Sequence, residues 1–560
     1  MRATRIGLTP ALIALACSGG GSSGGTPDAG SGGAGGTGGG QVPSHLVDIA
    51  VSSCETGGRI AYAIPAGSFE TRSAKLTLAE GTVVTLDAAA DPQSVFRSWT
   101  GDCTGTSTCT LTVDGPKQVG AEFGPKLSEA RGWNFSVDDN FVSVSAPVFG
   151  PNGELAVFIE FAGQADLGGG QSLSANNGVA IVVYEADGTL RWSKLWSERE
   201  WAVRALRFVA GDLLAVGTRL KAWNADGFAL TGIYRDAMFV RLDGATGTVD
   251  AATNATPQSS EEVGLAAISA SGRIAILGSF GGTADLGGSE LVADSANQTN
   301  EYIASFDANF QHQWSQAITG HNTFSRTLAL DVNDAGSVAV GGSVQAHLQL
   351  PGQALTNPHS SESPYVAVFD AAGSLSYAKI YETTSGSNET HALALRNDGE
   401  LLLAVNVRPP IDLGAGPLVA LSTSLAGGED LVLARLGATG AVLWNRRVLS
   451  EGLEQNFRMV HEGQTLTVLG ELSDQQQDVD FGTGLVHAGA RDVFVAQFSA
   501  SDGATTWVRT FGCSDDDTRG SVTAQGARAC FTGVFKGELD YGGSSPLAGD
   551  SYTALVCIAP

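Results

Sequence analysis
The sequence predicts an all-β protein, with a small β-grasp-like module ahead of a seven-bladed β-propeller closed by pairing of its N- and C-terminal strands. Three observations lead there. Seven glycines, Gly153, Gly211, Gly272, Gly336, Gly399, Gly463 and Gly526, recur 58, 61, 64, 63, 64 and 63 residues apart, a regularity that belongs to repeats rather than to unrelated loops. Each opens an alternating stretch such as Arg273-Ile274-Ala275-Ile276-Leu277-Gly278, followed by a turn of the type Asp285-Leu286-Gly287-Gly288 and a second strand that ends near Gly-x-x-x-Trp. Period-2 alternation between glycine turns reads as antiparallel strands. The last unit has only 35 residues, and the stretch before the first, 127–152, supplies 26. Together the two ends make one unit of normal length, so the N-terminal strands would complete the last blade of a ring.

Aromatic spacing agrees with that closure. Trp133 lies 20 residues before Gly153, and Trp192, Trp314, Tyr377, Trp444 and Trp507 lie 19 to 22 before their next glycines; only the second unit lacks an aromatic there. Phrases such as GSFGGTADLGG and YIASFDANFQHQW resemble the seven-bladed propeller repeats of secreted bacterial proteins, over residues 127–560. Units two and five depart from the pattern, with an insertion-like segment 222–232 and a Pro409-Pro410 pair. Ala438-Thr439-Gly440-Ala441-Val442-Leu443-Trp444 is similar to the tryptophan-docking motif of quinoprotein dehydrogenase propellers. That resemblance implies that Trp133, Trp192, Trp314, Tyr377, Trp444 and Trp507 staple neighbouring blades by filling the gap between them, and it leaves catalysis open.

The chain begins with Arg2 and Arg5, then an apolar run of 11 residues that ends in Ala14-Leu15-Ala16-Cys17. This resembles a bacterial lipoprotein signal, which implies cleavage before Cys17 and a lipid on its thiol, with residues 1–17 as signal and anchor. A bilayer-spanning helix needs ~20 apolar residues, and Pro10 interrupts this run. Residues 18–44 follow as a Gly/Ser-rich linker with little apolar surface to bury, hence a flexible tether with a reach of roughly 25–30 Å.

Residues 45–125 change to short alternating strands, among them 46–51, 76–78, 82–86, 110–113 and 118–123, with turns at Glu80-Gly81 and Asp114-Gly115. The series Glu80-Gly81-Thr82-Val83-Val84-Thr85-Leu86, then Phe96-x-x-Trp99-x-Gly101-Asp102-Cys103, then Cys109-x-Leu111 and Val119-x-Ala121-x-Phe123 resembles the divergent internalin-type B-repeat of bacterial surface proteins. The resemblance implies that Phe96 and Trp99 are core and that Cys103 and Cys109 are bonded, in a spacer or adhesive module.

Apart from Cys17 there are six cysteines, an even number that favours disulfides in an exported chain. Cys103 with Cys109, six residues apart, is the expected pair. Cys513, Cys530 and Cys557 all fall in the closing region, where Cys530 could join either of the other two; Cys54 is then free or paired with the remainder. No CxxC or CxxCH occurs, which disfavours thiol redox chemistry and covalent haem.

Composition excludes other classes. With 58 acidic against 32 basic residues, a formal charge of −26 and no Lys/Arg run, nucleic acid is not an expected partner. The Asp-apolar-Gly turns at Asp166, Asp285, Asp412, Asp480 and Asp540 each offer one carboxylate where Ca²⁺ takes six to eight oxygens, so they read as caps of turn amides. Asp515, Asp516 and Asp517 form the one acidic run that suits calcium better. The eight histidines are scattered, and neither HExxH, a GxSxG elbow within a strand-turn-helix context nor a phosphate-binding GxxxxGK[ST] is present.

The function expected on these grounds is a membrane-anchored binding or scaffold lipoprotein of the cell envelope. It would be exported to the outer membrane, periplasmic or surface-exposed, monomeric and without a cofactor. A protein or glycan would dock on propeller loops such as 259–263, 358–364 and 474–478. One alternative is a periplasmic propeller enzyme, quinoprotein-like or a hydrolase, with its site in the central channel. Another is an outer-membrane assembly scaffold, by fold-level analogy with the lipoprotein propeller of the barrel-assembly machinery. The channel separates the first two: convergent carboxylates with Arg, His or metal favour an enzyme, and small apolar residues favour a scaffold.

Overall fold
The computed structural model describes residues 42–51, 58–90, 94–136, 142–230, 235–255, 262–293, 300–320, 325–408, 411–414, 416–418, 429–453, 457–472, 478–482, 485–487, 492–512, 517–543 and 546–560. Among them every regular element is a strand. Cys17, Cys54, Cys513, Asp515 and Asp516 lie outside the described residues, as do the signal and most of the linker.

The first part of the chain forms two four-stranded sheets. In one, Ser44–Val51 lies between Ser73–Ala79, to which it runs antiparallel, and Lys117–Pro125, to which it runs parallel, with Ser94–Gly101 beyond. The other is Gly67–Thr71, Gly58–Ile64, Val83–Ala90 and Cys109–Thr112 in that order. Val47, Ile49, Val119 and Phe123 of the first bury against Ile60, Tyr62, Val84 and Leu86 of the second. A β-grasp would lay one sheet across a helix; here each apolar sheet face is covered by the other sheet, a sandwich. Phe96 and Trp99 pack edge to face at 5.0 Å, Trp99 is buried, and its indole N–H donates to the Ser107 carbonyl at 2.7 Å.

From Val142 on, antiparallel sheets follow one another, numbered I to VII here. Sheet I is Val142–Phe149, Leu155–Gly168, Gln171–Tyr184 and Leu190–Trp196. Sheets II to VI repeat the four-strand plan, beginning at Trp201–Val209, Glu262–Ile268, Arg326–Val332, Glu389–Leu395 and Arg458–Glu462. Sheets V and VI are linked into one ten-stranded sheet through Leu453 paired with Leu472. Sheet VII has Thr518–Gln525, Arg528–Leu539 and Leu547–Ala559, and its fourth strand is Glu129–Asn134, from the other end of the chain.

The sequence frame cut through the sheets. Each opening glycine sits in the turn between the first and second strand, so the first strand of every sheet precedes its glycine. The second strands are also not half-exposed: Val338–Val344 and Leu401–Val407 are buried at every residue. Sheets cover them on both faces, which erases the polar half of the alternation. In unit two the insertion-like segment is a short hairpin, Trp223–Ala225 against Phe228–Leu230.

The first strand of each sheet packs on the first strand of the next, and that of sheet VII on that of sheet I. Polar bridges link the turns beside them. Ser271 N donates to Asp334 Oδ1 at 2.7 Å, Asp334 N to Asn397 Oδ1 at 2.9 Å, Gly526 N to Glu462 Oε2 at 2.6 Å, and Gln525 Nε2 to the Gly150 carbonyl at 3.0 Å. The sandwich is tied to sheet VII by Arg97, whose guanidinium meets both carboxylate oxygens of Asp540 at 2.6 and 2.9 Å.

Candidate functional site
The aromatic residues singled out by spacing fall at the junctions between sheets. A methyl group built on Gly247, at the turn before the fourth strand of sheet II, would lie 2.6 Å from the Trp192 ring of sheet I. That glycine has φ 71°, and only glycine gives both the left-handed backbone and the room for the ring. Trp192 Nε1 also donates to the Gly244 carbonyl at 3.0 Å. Trp133 meets Gly188, Trp314 meets Gly373, Tyr377 meets Gly440 and Trp444 meets Gly503 in the same way. Gly188-x-x-x-Trp192, Gly373-x-x-x-Tyr377 and Gly440-x-x-x-Trp444 therefore each receive one ring and deliver the next. Trp507 instead donates from Nε1 to Gln497 Oε1 at 3.0 Å and belongs to the core shared by sheets VI and VII, against which Leu127 also packs.

Cys103 is bonded to Cys109, and Cys530 to Cys557 across paired strands of sheet VII. The Asp-apolar-Gly turns are capped as their chemistry suggests: Gly168 N, Gly287 N, Gly414 N and Gly542 N donate to Asp166, Asp285, Asp412 and Asp540 at 2.7–2.9 Å. The apolar residues of these turns, Leu167, Leu286, Leu413 and Tyr541, are buried. Asp517 is not a solvated surface carboxylate; it is buried and accepts from Lys536 N at 3.0 Å. The segment 358–364 is not a loose contact loop either. Asn357 Nδ2 holds it through Val344 O, Ser361 O and Ser363 Oγ at 2.7–3.0 Å, and Glu362 and Ser363 are buried. Of the other two loops, 256–261 and 473–477 lie outside the described residues.

What the sequence did not show is a cavity of about 370 Å³ where the beginnings of first strands converge from sheets III, IV, V and VI. β-Bulges aim its side chains: the register slips at Gly264, Leu328 and His391, each an extra residue left unpaired by the neighbouring strand. Glu262, Glu301, Thr327 and Arg458 complete the polar lining, and Leu265, Leu277 and Leu328 the apolar one.

Just behind this lining, Glu389 is almost fully buried; Arg326 Nε donates to its Oε1 at 2.9 Å and His391 Nε2 lies 3.0 Å from its Oε2. Burial alone would raise the Glu389 carboxyl, but the hydrogen bonds from His391 and Arg326 outweigh it and hold it below the ordinary range. Thr327 Oγ1 is 2.5 Å from Glu301 and 2.6 Å from the Tyr365 hydroxyl. Burial, then the Glu301 charge, pushes that phenol upward. Glu262 pairs with Arg235 and approaches Arg204 at 4.0 Å. Arg458 is reached by solvent yet walled by protein on most sides, and burial depresses its guanidinium. Its neighbour Arg519 is brought to about 10 by burial, helped by the charge of Arg458, against Glu471 at 3.8 Å.

Residues 62–127 match the family model of the divergent InlB B-repeat domain. No curated protein matches the chain. Similar solved structures include the quinohemoprotein alcohol dehydrogenase of Comamonas testosteroni, 9% identical, with 77% of this chain and 76% of that chain covered at TM-score 0.36. BamB of Moraxella catarrhalis is 11% identical, with 77% and 99% covered at TM-score 0.32. The endosialidase of phage phi92 is 12% identical, with 81% and 71% covered at TM-score 0.34. Likeness at this level carries neither activity nor substrate.

Proposed function
We propose that this chain is a binding protein of the cell envelope, exported, anchored through a lipid on Cys17 and carried on a seven-bladed propeller that strand Glu129–Asn134 closes. Its ligand occupies the cavity at the mouth of the ring's channel. Support for the ring comes from the first strands packing in succession from sheet I to VII and back to I, and from Glu129–Asn134 completing sheet VII. The observation that carries the binding reading is the cavity itself, because four separate sheets each turn a side chain into one space. Structural packing alone would fill such a convergence with apolar side chains. The disulfides suit an oxidising compartment.

The mouth has the charged composition expected of an enzyme, yet Glu262 is engaged by Arg235 and Arg204 and Glu301 by Thr327, an arrangement suited to orienting a ligand. One observation favours a hydrolytic enzyme as the second reading: His391, oriented by Glu389, faces the cavity as a general base would. Filling the cavity with Leu328→Trp is the test. Binding of a ligand found by thermal-shift screening is expected to vanish while the unliganded Tm stays close to that of the parent. Ligand binding that survives the substitution contradicts the reading, and turnover abolished by His391→Gln moves the protein to the enzyme class. For the anchor, Cys17→Ala is expected to leave the membrane fraction or accumulate as precursor; unchanged fractionation contradicts it.

A further inference from the structure
The charges around the cavity are not evenly matched. Of the carboxylates behind or beside it, Glu389 has Arg326 and His391, Glu262 has Arg235 and Arg204, and Glu471 has Arg519, while Glu301 is met by the Thr327 hydroxyl and amide. Arg458 differs. Among the described residues no carboxylate lies within 4 Å of it, and its guanidinium makes a 3.3 Å contact from Nη1 to the carbonyl of the preceding residue, Phe457. Its charge bears on another cation, Arg519. The side chain is open to solvent, so an incoming group can reach it, and it stands as a cation in a molecule of net charge −26. The chain places this arginine in the lining of the cavity.

We infer that the cavity selects small singly charged carboxylates, with Arg458 receiving the carboxylate. This rests on the cavity being the ligand site. A planar guanidinium matches a carboxylate with two parallel hydrogen bonds, a fit that a lone ammonium does not offer. Glu262 and Glu301 line the same space, so a second negative charge on the ligand meets repulsion, and dianions such as phosphate esters are disfavoured. Leu265, Leu277 and Leu328 supply an apolar wall, which fits an aliphatic body on the acid. A space of about 370 Å³ suits a molecule of amino-acid to monosaccharide size.

The test uses the purified full chain and four probes of one skeleton: 4-methylpentanoate, its amide, the corresponding amine, and 2-isobutylsuccinate as the dianion. Binding is read by saturation-transfer NMR and calorimetry. The monoacid is expected to bind at least about tenfold more tightly than the amide, amine or diacid. Arg458→Gln is expected to abolish that preference, and Arg458→Lys to keep the charge preference with weaker binding, which separates a lost contact from a misfolded chain. Glu262→Gln is expected to admit the diacid. Equal binding of acid and amide, no binding of the monoacid, or an unchanged preference in Arg458→Gln overturns the inference. If acid and amide bind alike but both are lost in Leu328→Trp, the cavity stands as a site and only its charge selectivity fails. If Leu328→Trp leaves the acid bound, the site itself is misplaced.

Discussion
Two neighbouring junctions solve the same packing problem from opposite sides. Sheet I delivers the Trp192 ring onto Gly247 of sheet II. At the next junction the delivering position is Ala251 and the receiving position, where glycine would stand, is Phe310. Phe310 points back toward sheet II, stacked on Phe239 at 5.6 Å, with the Arg241 guanidinium 5.6 Å above its ring and Ala251 in the same core. It keeps the left-handed backbone of the glycine it replaces, φ 64°, a conformation that costs a bulky residue about 1 kcal/mol or more. Each of these gaps is filled by one ring, and the fold does not prescribe which sheet provides it.

The strongest break is Trp192→Ala, which leaves a cavity against a glycine that cannot fill it. A loss of about 3–5 kcal/mol is expected in chemical denaturation. Phe310→Gly is expected to lose less, about 2–4 kcal/mol, because removal of the ring also relieves the backbone. Ala251→Trp alone overpacks the same gap and is expected to lose about 1–3 kcal/mol. Joining the two restores the arrangement of the other junctions, so the double variant is expected within about 1 kcal/mol of the parent, with a clear favourable coupling. Additive losses would show that the two positions do not share one gap.

A third junction sharpens the contrast, because it is polar. Leu395 N of sheet V donates to Asp331 Oδ2 of sheet IV at 2.7 Å, and burial pushes that carboxyl up to about 6 from an ordinary 3.8. Between those values the native chain holds a proton that the unfolded chain has released, so this group's contribution to stability falls as pH rises through the window and its cost is fully present above 6. Asp331→Asn lacks the titration. Its stability relative to the parent is expected to rise by about 1–3 kcal/mol from pH 4 to pH 7, and a flat difference in pH-dependent denaturation contradicts the assignment. The smallest effect belongs to the partly exposed pair Arg97 and Asp540, where a double-mutant cycle is expected to give about 0.5–1 kcal/mol.

Much of this was legible in the residues, because repetition amplifies weak signals. The glycine spacing revealed the units, Asp285-Leu286-Gly287 its capped turn, and Trp133 its link to the last unit. The missing aromatic of unit two, at Ala251, was legible in the sequence, but only the structure places Phe310 in the same core. The frame of each sheet was hidden because a glycine turn marks a boundary between strands without saying which sheet owns them. The two-sided burial of Leu401–Val407 was hidden by the covering sheets. The cavity was out of reach for a different reason: Glu262, Leu328, His391 and Arg458 come from four units, and their convergence depends on bulges that displace single residues.

The central proposal is that Glu129–Asn134, the fourth strand of the seventh sheet, closes a ring. Hydrogen exchange of the intact protein, resolved along the chain, tests it without any substitution. The account predicts that the inward-bonded amides of Glu129–Asn134 are protected to the same opening free energy as those of their partner strand Leu547–Ala559. Exchange of Glu129–Asn134 as fast as that of the exposed edge strand Gly67–Thr71, with Leu547–Ala559 still protected, would contradict it.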